Sequence, residues 1–287
     1  MEQESWGRRI WRLIYPGLTY FGICFIVEVI ATVLIAMTAI AGIDPASAGL
    51  EERLFNEMWN RALSMALELQ VLSAAITLPI LILYYKRDRK RDRAAGRDRR
   101  YTAVPAWQFI FIVILGFAAC LAGNNLITAS GLYTVSDTYA EISEILYGGK
   151  LVLEFVGLGI LVPIVEEFIF RGLIYRRLRE YLNIGPAAVI CSVIFGLYHG
   201  NLVQGVYAFL LSLLFIYCYE RYHTMAAPIL FHAAANILSV AVSELGVLNV
   251  MYTSLGAFWT GTILSCLILI VMVYLIHRFV HAEQTGG

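Results

Sequence analysis

Charged residues are scarce in this chain, and paired cysteines and alternating strand patterns are missing from it. Only 15% of the 287 residues are charged, whereas roughly 25% is usual for a soluble domain. This scarcity excludes a disordered chain, a coiled coil and an ordinary cytosolic enzyme. The five cysteines lie singly in apolar runs without C-x-x-C spacing, which excludes a disulfide framework and a cysteine-based zinc site. Ten-residue segments of alternating hydrophobicity are lacking too, which excludes a transmembrane barrel.

Hydrophobic residues are abundant instead, at 60% of the chain, and the mean hydropathy is +0.72. About 20 apolar residues are needed to cross a bilayer as a helix. The sequence therefore predicts an all-α, polytopic membrane protein, a bundle of about eight transmembrane helices. The predicted spans are 17–42, 62–85, 104–128, 151–175, 184–200, 202–219, 224–243 and 255–280.

The basic residues predict the orientation. Residues 86–100 carry nine basic and three acidic residues and predict a solvated loop, which faces the cytoplasm by the positive-inside rule. With alternating spans, both termini are then cytoplasmic. Of the 21 Lys and Arg residues, three (Arg53, Arg61 and Lys150) fall outside, Arg171 lies in a span, and the other 17 fall inside. This asymmetry favours an even number of spans.

Two regions are predicted on the distribution of polar residues. Residues 1–149 form an N-terminal membrane region with three spans, the basic cytoplasmic loop at 86–100 and an outer amphipathic segment at 129–150. Residues 150–287 form a second membrane region whose core is 150–243. The first region holds no motif with an evident chemistry, whereas the second concentrates its ionisable residues in three short motifs.

The first motif lies in the fourth predicted span. An ionisable side chain inside a span costs several kcal/mol and indicates a functional role. Glu167 and Arg171 are at i,i+4 with the acid first, which favours an ion pair, and Glu166 points about 100° away from Glu167. Near the outer border, Glu154 follows Lys150 by four residues, and a second i,i+4 ion pair is predicted there.

The second and third motifs lie in the fifth and seventh predicted spans. Phe195 and His199 share one helix face, and His232 and Asn236 share another, with alanines between them that leave room for a close approach. Counting 1.5 Å per residue from the inner border predicts depths of roughly 12 to 22 Å for Glu166, His199, His232 and Asn236. The sequence thus predicts that three helices bring these four side chains into one layer.

This combination suits the activation of a water molecule. A glutamate held away from bulk water can act as a general base, and a neighbouring histidine can share the proton. A second histidine and an amide can donate hydrogen bonds to the oxyanion of a tetrahedral intermediate. Glu166, His199 and His232 are alternatively suitable zinc ligands. A hydrogen-bonded network without chemistry is the remaining interpretation.

The three motifs together resemble those of the CPBP family, the CAAX-protease and bacteriocin-processing (Abi) intramembrane proteases. They read Glu166-Glu167-x-x-x-Arg171, Phe195-x-x-x-His199 and His232-x-x-x-Asn236. The resemblance covers roughly residues 150–243 and implies a bundle of about eight membrane helices with endopeptidase activity.

The resemblance also implies roles for the residues. Glu166 and His199 would activate the water, His232 and Asn236 would form the oxyanion hole, and Glu167, Arg171 and Phe195 would support them. No cofactor would be required, with zinc as the alternative.

The expected partners are a membrane-embedded or lipidated protein or peptide substrate and the bilayer, without nucleic acid. The expected location is the plasma membrane of a prokaryote. The alternatives are a metal-dependent form of the same protease, a non-catalytic bacteriocin-immunity or scaffold protein, and a transporter that relays protons. Against the transporter, the two halves show no internal repeat.

Overall fold

The computed structural model describes residues 5–42, 49–96, 100–132, 149–281 and 284–285. The protein is an all-α polytopic membrane protein. Its helices in this part of the chain are α1 (Trp6–Gly42), α2 (Leu50–Ser64), α3 (Ala66–Ala94), α4 (Ile110–Ser130), α5 (151–178), α6 (Ile184–Tyr198), α7 (Leu202–Tyr222), α8 (Ala226–Leu245) and α9 (Leu255–Phe279). Two short 3₁₀ turns, Ala106–Phe109 and Asn249–Tyr252, precede α4 and α9.

Each of the eight predicted apolar runs coincides with one helix, namely α1 and α3 to α9. Six helical segments among the described residues are long and apolar enough to cross a membrane, and they correspond to α1, α3, α4, α7, α8 and α9. The remaining two differ in kind, because α6 has only 15 residues and α5 is not a uniform α-helix. The number of helices that cross the bilayer stays a prediction. The sequence did not predict α2, which lies in the predicted outer loop.

α5 alternates between two helical forms. Two π-helical stretches, Glu154–Leu161 and Phe168–Tyr175, flank a short α-helical segment, Val162–Glu167. In the first stretch the Val162 N–H bonds to the Gly157 carbonyl, five residues back. The same spacing would pair the Leu158 carbonyl with Pro163, which has no N–H. The Leu158 carbonyl is therefore free to accept a hydrogen bond from another helix.

The predicted solvated loop at 86–100 is wrong for its first part, because residues 86–94 continue α3. This helical extension is held by ion pairs to α1 and to the end of α5, which we call the rim network. Its pairs are Arg177–Asp88 at 2.6 Å, Arg176–Asp92 at 2.6 Å, Arg91–Glu180 at 2.6 Å and Arg12–Glu180 at 2.7 Å. These charged side chains are ordered by partners on other helices, which the local sequence does not reveal.

The start of α1 and residues 284–285 lie at the same end of the bundle as the charged end of α3. Arg100–Tyr101 and Gln284–Thr285 form a short antiparallel pair of strands, β1 and β2, so the C-terminal segment lies beside the residues that follow α3. Arg12 places the start of α1 in the rim network at the same end. The orientation of the termini and the cytoplasmic location of this end stay predictions.

At the opposite end, the predicted Lys150–Glu154 ion pair is wrong. Lys150 Nζ binds Glu68 Oε1 of α3 at 3.0 Å, and Glu154 Oε1 accepts a hydrogen bond from the Gly149 N–H at 2.8 Å. A free backbone N–H at a helix start is a good partner for a carboxylate, and it replaces the lysine. Most of the predicted amphipathic segment at 129–150 lies outside the described residues.

The hydrophobic core surrounds α5 and α8. One cluster of buried side chains includes Leu115 of α4, Val165 of α5 and Phe231 of α8, so it joins the two predicted regions. α4 packs on α8 at Gly116, where a Cβ would lie 2.8 Å from the carbonyl oxygen of Phe231. Only glycine allows this approach, which holds α8 firmly at the residue before His232.

Candidate active site

An ion pair from the first motif lies in the interior of the bundle. Arg171 Nη1 binds Glu167 Oε1 at 2.8 Å, and both side chains are 0% exposed, which confirms the predicted pair. Arg171 Nη2 also donates to Ser212 Oγ of α7 at 2.7 Å. The guanidinium carbon lies 4.4 Å from the ring centre of Phe195 and 4.8 Å from that of Phe215. The buried cation is thus neutralised, hydrogen-bonded and stacked between two aromatic faces.

His232 of α8 contacts both glutamates of the first motif. Its Nδ1 lies 2.8 Å from Glu167 Oε1, and its Nε2 lies 3.6 Å from Glu166 Oε2. Since the Glu167 carboxylate, ion-paired with Arg171, only accepts hydrogen bonds, Nδ1 of His232 carries a proton. The nitrogen that faces Glu166 is therefore Nε2, and the ring orientation is fixed through Glu167. Glu166 itself is only 6% exposed.

His199 lies at the end of α6, half-buried, just before the left-handed turn at Gly200 (φ 72°). Its Nδ1 is 2.8 Å from the backbone carbonyl of Phe195. A carbonyl only accepts, so Nδ1 carries the proton and a neutral ring has its lone pair on Nε2. His199 can therefore accept a proton through Nε2.

Phe195 links the three motifs through its ring. The ring is 1% exposed and lies beside Arg171, as described above. The His199 and His232 rings stand edge-on to it, with ring centres at 4.9 Å and 6.0 Å respectively. Phe195 therefore packs against both histidines, and its supporting role stays a prediction.

Asn236 lies one turn beyond His232 on α8 and is half-buried. Its Nδ2 donates to the Leu158 carbonyl at 3.0 Å, the same carbonyl that Pro163 leaves without an intrahelical partner. This bond fixes the amide and consumes one of its two N–H groups. The other N–H is available to a ligand.

The structure brings some of the seven predicted site residues into direct contact. Glu166, Glu167, Arg171 and His232 form one cluster, with Phe195 stacked against it. Among the described residues, neither His199 nor Asn236 forms a hydrogen bond or ion pair with Glu166. They contact the backbone carbonyls of Phe195 and Leu158 instead. The catalytic roles of these residues stay predictions.

Two residues of α7, Ser212 and Phe215, were missed by the sequence reasoning. Ser212 is 0% exposed and hydrogen-bonds Arg171, and the Phe215 ring stacks on His232 with ring centres 4.7 Å apart. The available signal was weak, a single hydroxyl in the apolar run Leu210–Leu214. A serine carries no charge, so the presence of ionisable residues in the spans does not single it out.

The alternative zinc ligands do not form a ligand set. Across the described ranges, no three His, Cys, Asp or Glu side chains are grouped so that they could hold a metal ion. Glu166 and His232 approach each other, but His199 is not grouped with them. Glu166, His199 and His232 therefore do not fit a bound zinc ion in this arrangement.

Similarity to known proteins includes the region that carries the three motifs. Residues 148–238, which contain all three motifs, match the family model described as type II CAAX prenyl endopeptidase Rce1-like. The chain is 26% identical over 170 residues to a Bacillus subtilis (strain 168) protein named "Putative membrane peptidase YdiL", a match that covers 59% of this chain and 69% of that relative. No solved structure matches. With its motifs intact on an all-helical membrane fold, the chain is similar in this region to the CAAX-type intramembrane proteases.

Proposed function

We propose that this intramembrane protease hydrolyses a peptide bond of a membrane-associated or lipidated protein or peptide, with a water molecule activated at Glu166. The observation that carries the proposal is the pair of contacts around His232. One ring nitrogen is fixed by Glu167 at 2.8 Å, and the other faces the buried Glu166 at 3.6 Å. These contacts place a fixed imidazole beside the carboxylate that is proposed to activate the water.

Glu166 is proposed as the general base. Its carboxylate takes a proton from the water while the water oxygen attacks the peptide carbonyl carbon, and a tetrahedral oxyanion forms. The lone pair on His199 Nε2, inferred from the Phe195 contact, provides a second acceptor for the shared proton. When the C–N bond breaks, the proton passes from Glu166 to the leaving nitrogen, so the base is regenerated.

His232 and Asn236 are proposed as donors to the oxyanion. Nδ1 of His232 is engaged by Glu167, so Nε2 can donate only when the ring is an imidazolium. The N–H of Asn236 that is not bound to Leu158 supplies the second hydrogen bond. Donors fixed in advance in this way are worth more than mobile ones, because they need no reorganisation as charge develops.

The substrate is proposed to be bound to the membrane by a lipid group. The matching family model is that of prenyl endopeptidases, and the candidate site lies among helices that are apolar enough to cross a bilayer. A substrate anchored in the same bilayer reaches such a site by lateral diffusion. Prenylated peptides are therefore the first probes, and peptides with other lipid anchors are the second.

The experiment compares wild type with Glu166→Gln in two assays. Purified protein in lipid vesicles receives a prenylated peptide, and mass spectrometry follows the products. In parallel, membrane and secreted fractions of the host are compared for peptides that depend on the protein. A general base contributes typically 10²–10⁴-fold, so Glu166→Gln should lower cleavage by about that factor while the amount of folded protein is unchanged.

Glu28→Gln is the matched control. Glu28 is a glutamate of the membrane helix α1, but its side chain is exposed on the bundle surface, so its loss should leave cleavage unchanged. If Glu166→Gln retains every protein-dependent product, the hydrolytic proposal is wrong and the non-catalytic scaffold alternative is favoured. Glu166-dependent cleavage of substrates that carry no lipid group would contradict only the substrate class.

A further inference from the structure

A charged cleft is formed by residues between Arg8 and Ala94, outside the candidate active site. It opens between one face of α1 and the charged end of α3 and has a volume of about 890 Å³. Its only lining carboxylate among the described residues is Asp88. The lining cations are Arg8, Arg12, Arg87, Lys90 and Arg91.

Three of these cations are not neutralised. Arg12 and Arg91 are both bound to Glu180 in the rim network. Arg8, Arg87 and Lys90 are exposed, and no carboxylate within the described ranges pairs with them. The cleft therefore carries an excess of positive charge, in addition to the cations that are already paired in the rim network. Such a surface attracts anions rather than another basic segment.

The cleft also crosses the border between apolar and charged surface. Its aromatic lining consists of Trp11, Tyr15 and Tyr84, residue types that concentrate at the membrane–water interface. Leu18 continues the cleft toward the apolar side and is 51% exposed, and Phe21, 52% exposed, follows one turn later. An apolar path thus leads away from the cations along α1.

We propose that this cleft binds the phosphate-bearing headgroup of an anionic phospholipid, with the acyl chains lying along α1. Arg8, Arg87 and Lys90 supply the charge for the phosphate, the aromatic rings lie at the level of the headgroup and glycerol, and Leu18 begins the acyl contact. Basic pockets between membrane helices at the interface are suited to such headgroups. The proposal is independent of the hydrolytic function, and its test needs no activity.

The test measures lipid binding by native mass spectrometry on the purified full chain. Phosphatidylglycerol, phosphatidylcholine and glycerol 3-phosphate are titrated separately, so that charge, lipid and free phosphate are distinguished. Wild type should bind one phosphatidylglycerol more tightly than later ones, and more tightly than either other probe. The variant Arg87→Gln/Lys90→Gln should bind it about 30-fold more weakly, the combined effect of two basic residues near an anionic headgroup.

The matched control is Lys86→Gln/Arg278→Gln. It removes two exposed cations, one on the same helix α3, that do not line the cleft. Its affinity for phosphatidylglycerol should fall by much less than that of Arg87→Gln/Lys90→Gln, because neither side chain lines the cleft, although Lys86 lies one turn from Lys90. Equal weakening in both double variants would overturn the site, as would equal binding of phosphatidylcholine. Glycerol 3-phosphate binding as tightly as the lipid would overturn the lipid assignment.

Wild-type protein alone provides a second test in case a variant fails to fold. Binding through uncompensated cations weakens as salt screens them. The first phosphatidylglycerol should therefore be lost when salt is raised from 0.1 M to 1 M during purification, a change that shortens the screening length from about 10 Å to about 3 Å. Retention of this lipid at the higher salt would contradict a charge-based site.

Discussion

Two groups of ion pairs in this protein use the same residue types in opposite surroundings. Glu167 and Arg171, in the middle of α5, are 0% exposed, and their partners are His232 and Ser212. At the end of the bundle away from the rim network, the Lys150–Glu68 pair is open to solvent, with Lys150 77% exposed. The buried pair lies among the motif residues, whereas the end pairs join helix termini.

The difference in surroundings determines what each group can do. A charge in a low-dielectric interior interacts strongly with its neighbours but has a large desolvation cost, so it must be fully paired. The Glu167–Arg171 pair can therefore fix the orientation of His232. A solvent-exposed pair is screened and contributes little. The comparison thus predicts a large effect at the buried Glu167–Arg171 pair and a small effect at the exposed Lys150–Glu68 pair.

Arg171→Ala should give the largest loss of stability. It leaves the Glu167 carboxylate buried without its cation, and breaking a buried pair in this way costs about 3–5 kcal/mol. The amount of monodisperse protein after detergent extraction and its thermal unfolding temperature should both fall. A variant that stays as stable as wild type but has no activity would instead put Arg171 in the catalytic group.

The double variant Glu167→Gln/Arg171→Met serves as the control for that result. It removes both charges and keeps similar side-chain volumes, so no uncompensated charge remains in the interior. Replacement of a whole buried pair is often neutral or stabilising. The double variant should therefore be more stable than Arg171→Ala. Activity should still be lost, because His232 no longer has a carboxylate to fix its ring.

Asn236→Ala should affect turnover more than stability. Removal of one oxyanion donor costs roughly 10²–10³-fold in kcat, and KM should change little because the donor acts on the transition state. Asn125→Ala is a suitable control, because Asn125 is also a buried amide but bonds Thr262 between α4 and α9. Its turnover per folded molecule should match wild type.

A chelator separates the oxyanion proposal from the zinc alternative. Amide side chains are poor zinc ligands and good donors, so in the oxyanion proposal a chelator leaves activity intact and Asn236→Ala abolishes most of it. Stoichiometric zinc in the purified protein, with inactivation by a chelator and recovery on addition of zinc, would reverse the preference.

The sequence predicted the local features of the fold and of the site. The eight apolar runs correspond to helices because hydrophobic length alone decides whether a segment is stable in a bilayer. The Glu167–Arg171 pair was predictable since both residues lie on one helix at i,i+4. The prediction of a single layer for Glu166 and His232 needed only the helical rise.

Contacts between distant segments were not predictable in this way. Lys150 pairs with Glu68, 82 positions away, and not with Glu154. The Gly149 N–H already donates a hydrogen bond to Glu154. Nδ1 of His232 forms a hydrogen bond with Glu167, 65 positions away, and the spacing within one helix cannot reveal this contact. The helical extension of α3 depends likewise on Arg176 and Arg177 of α5. Each of these features requires the relative positions of two helices, which the spacing within one helix does not contain.

Lys150→Gln should give the smallest effect and completes the comparison. The Lys150–Glu68 pair has good geometry, with Nζ and Oε1 at 3.0 Å, but the lysine is 77% exposed and the glutamate 32% exposed. An exposed pair contributes about 0–1 kcal/mol, and water can solvate the Glu68 carboxylate once the lysine is gone. The unfolding temperature in detergent should therefore stay close to that of wild type, and raising the salt concentration should remove any remaining difference. A loss as large as that of Arg171→Ala would mean that this end of the bundle is shielded from water and that exposure does not explain the contrast between the two groups of ion pairs.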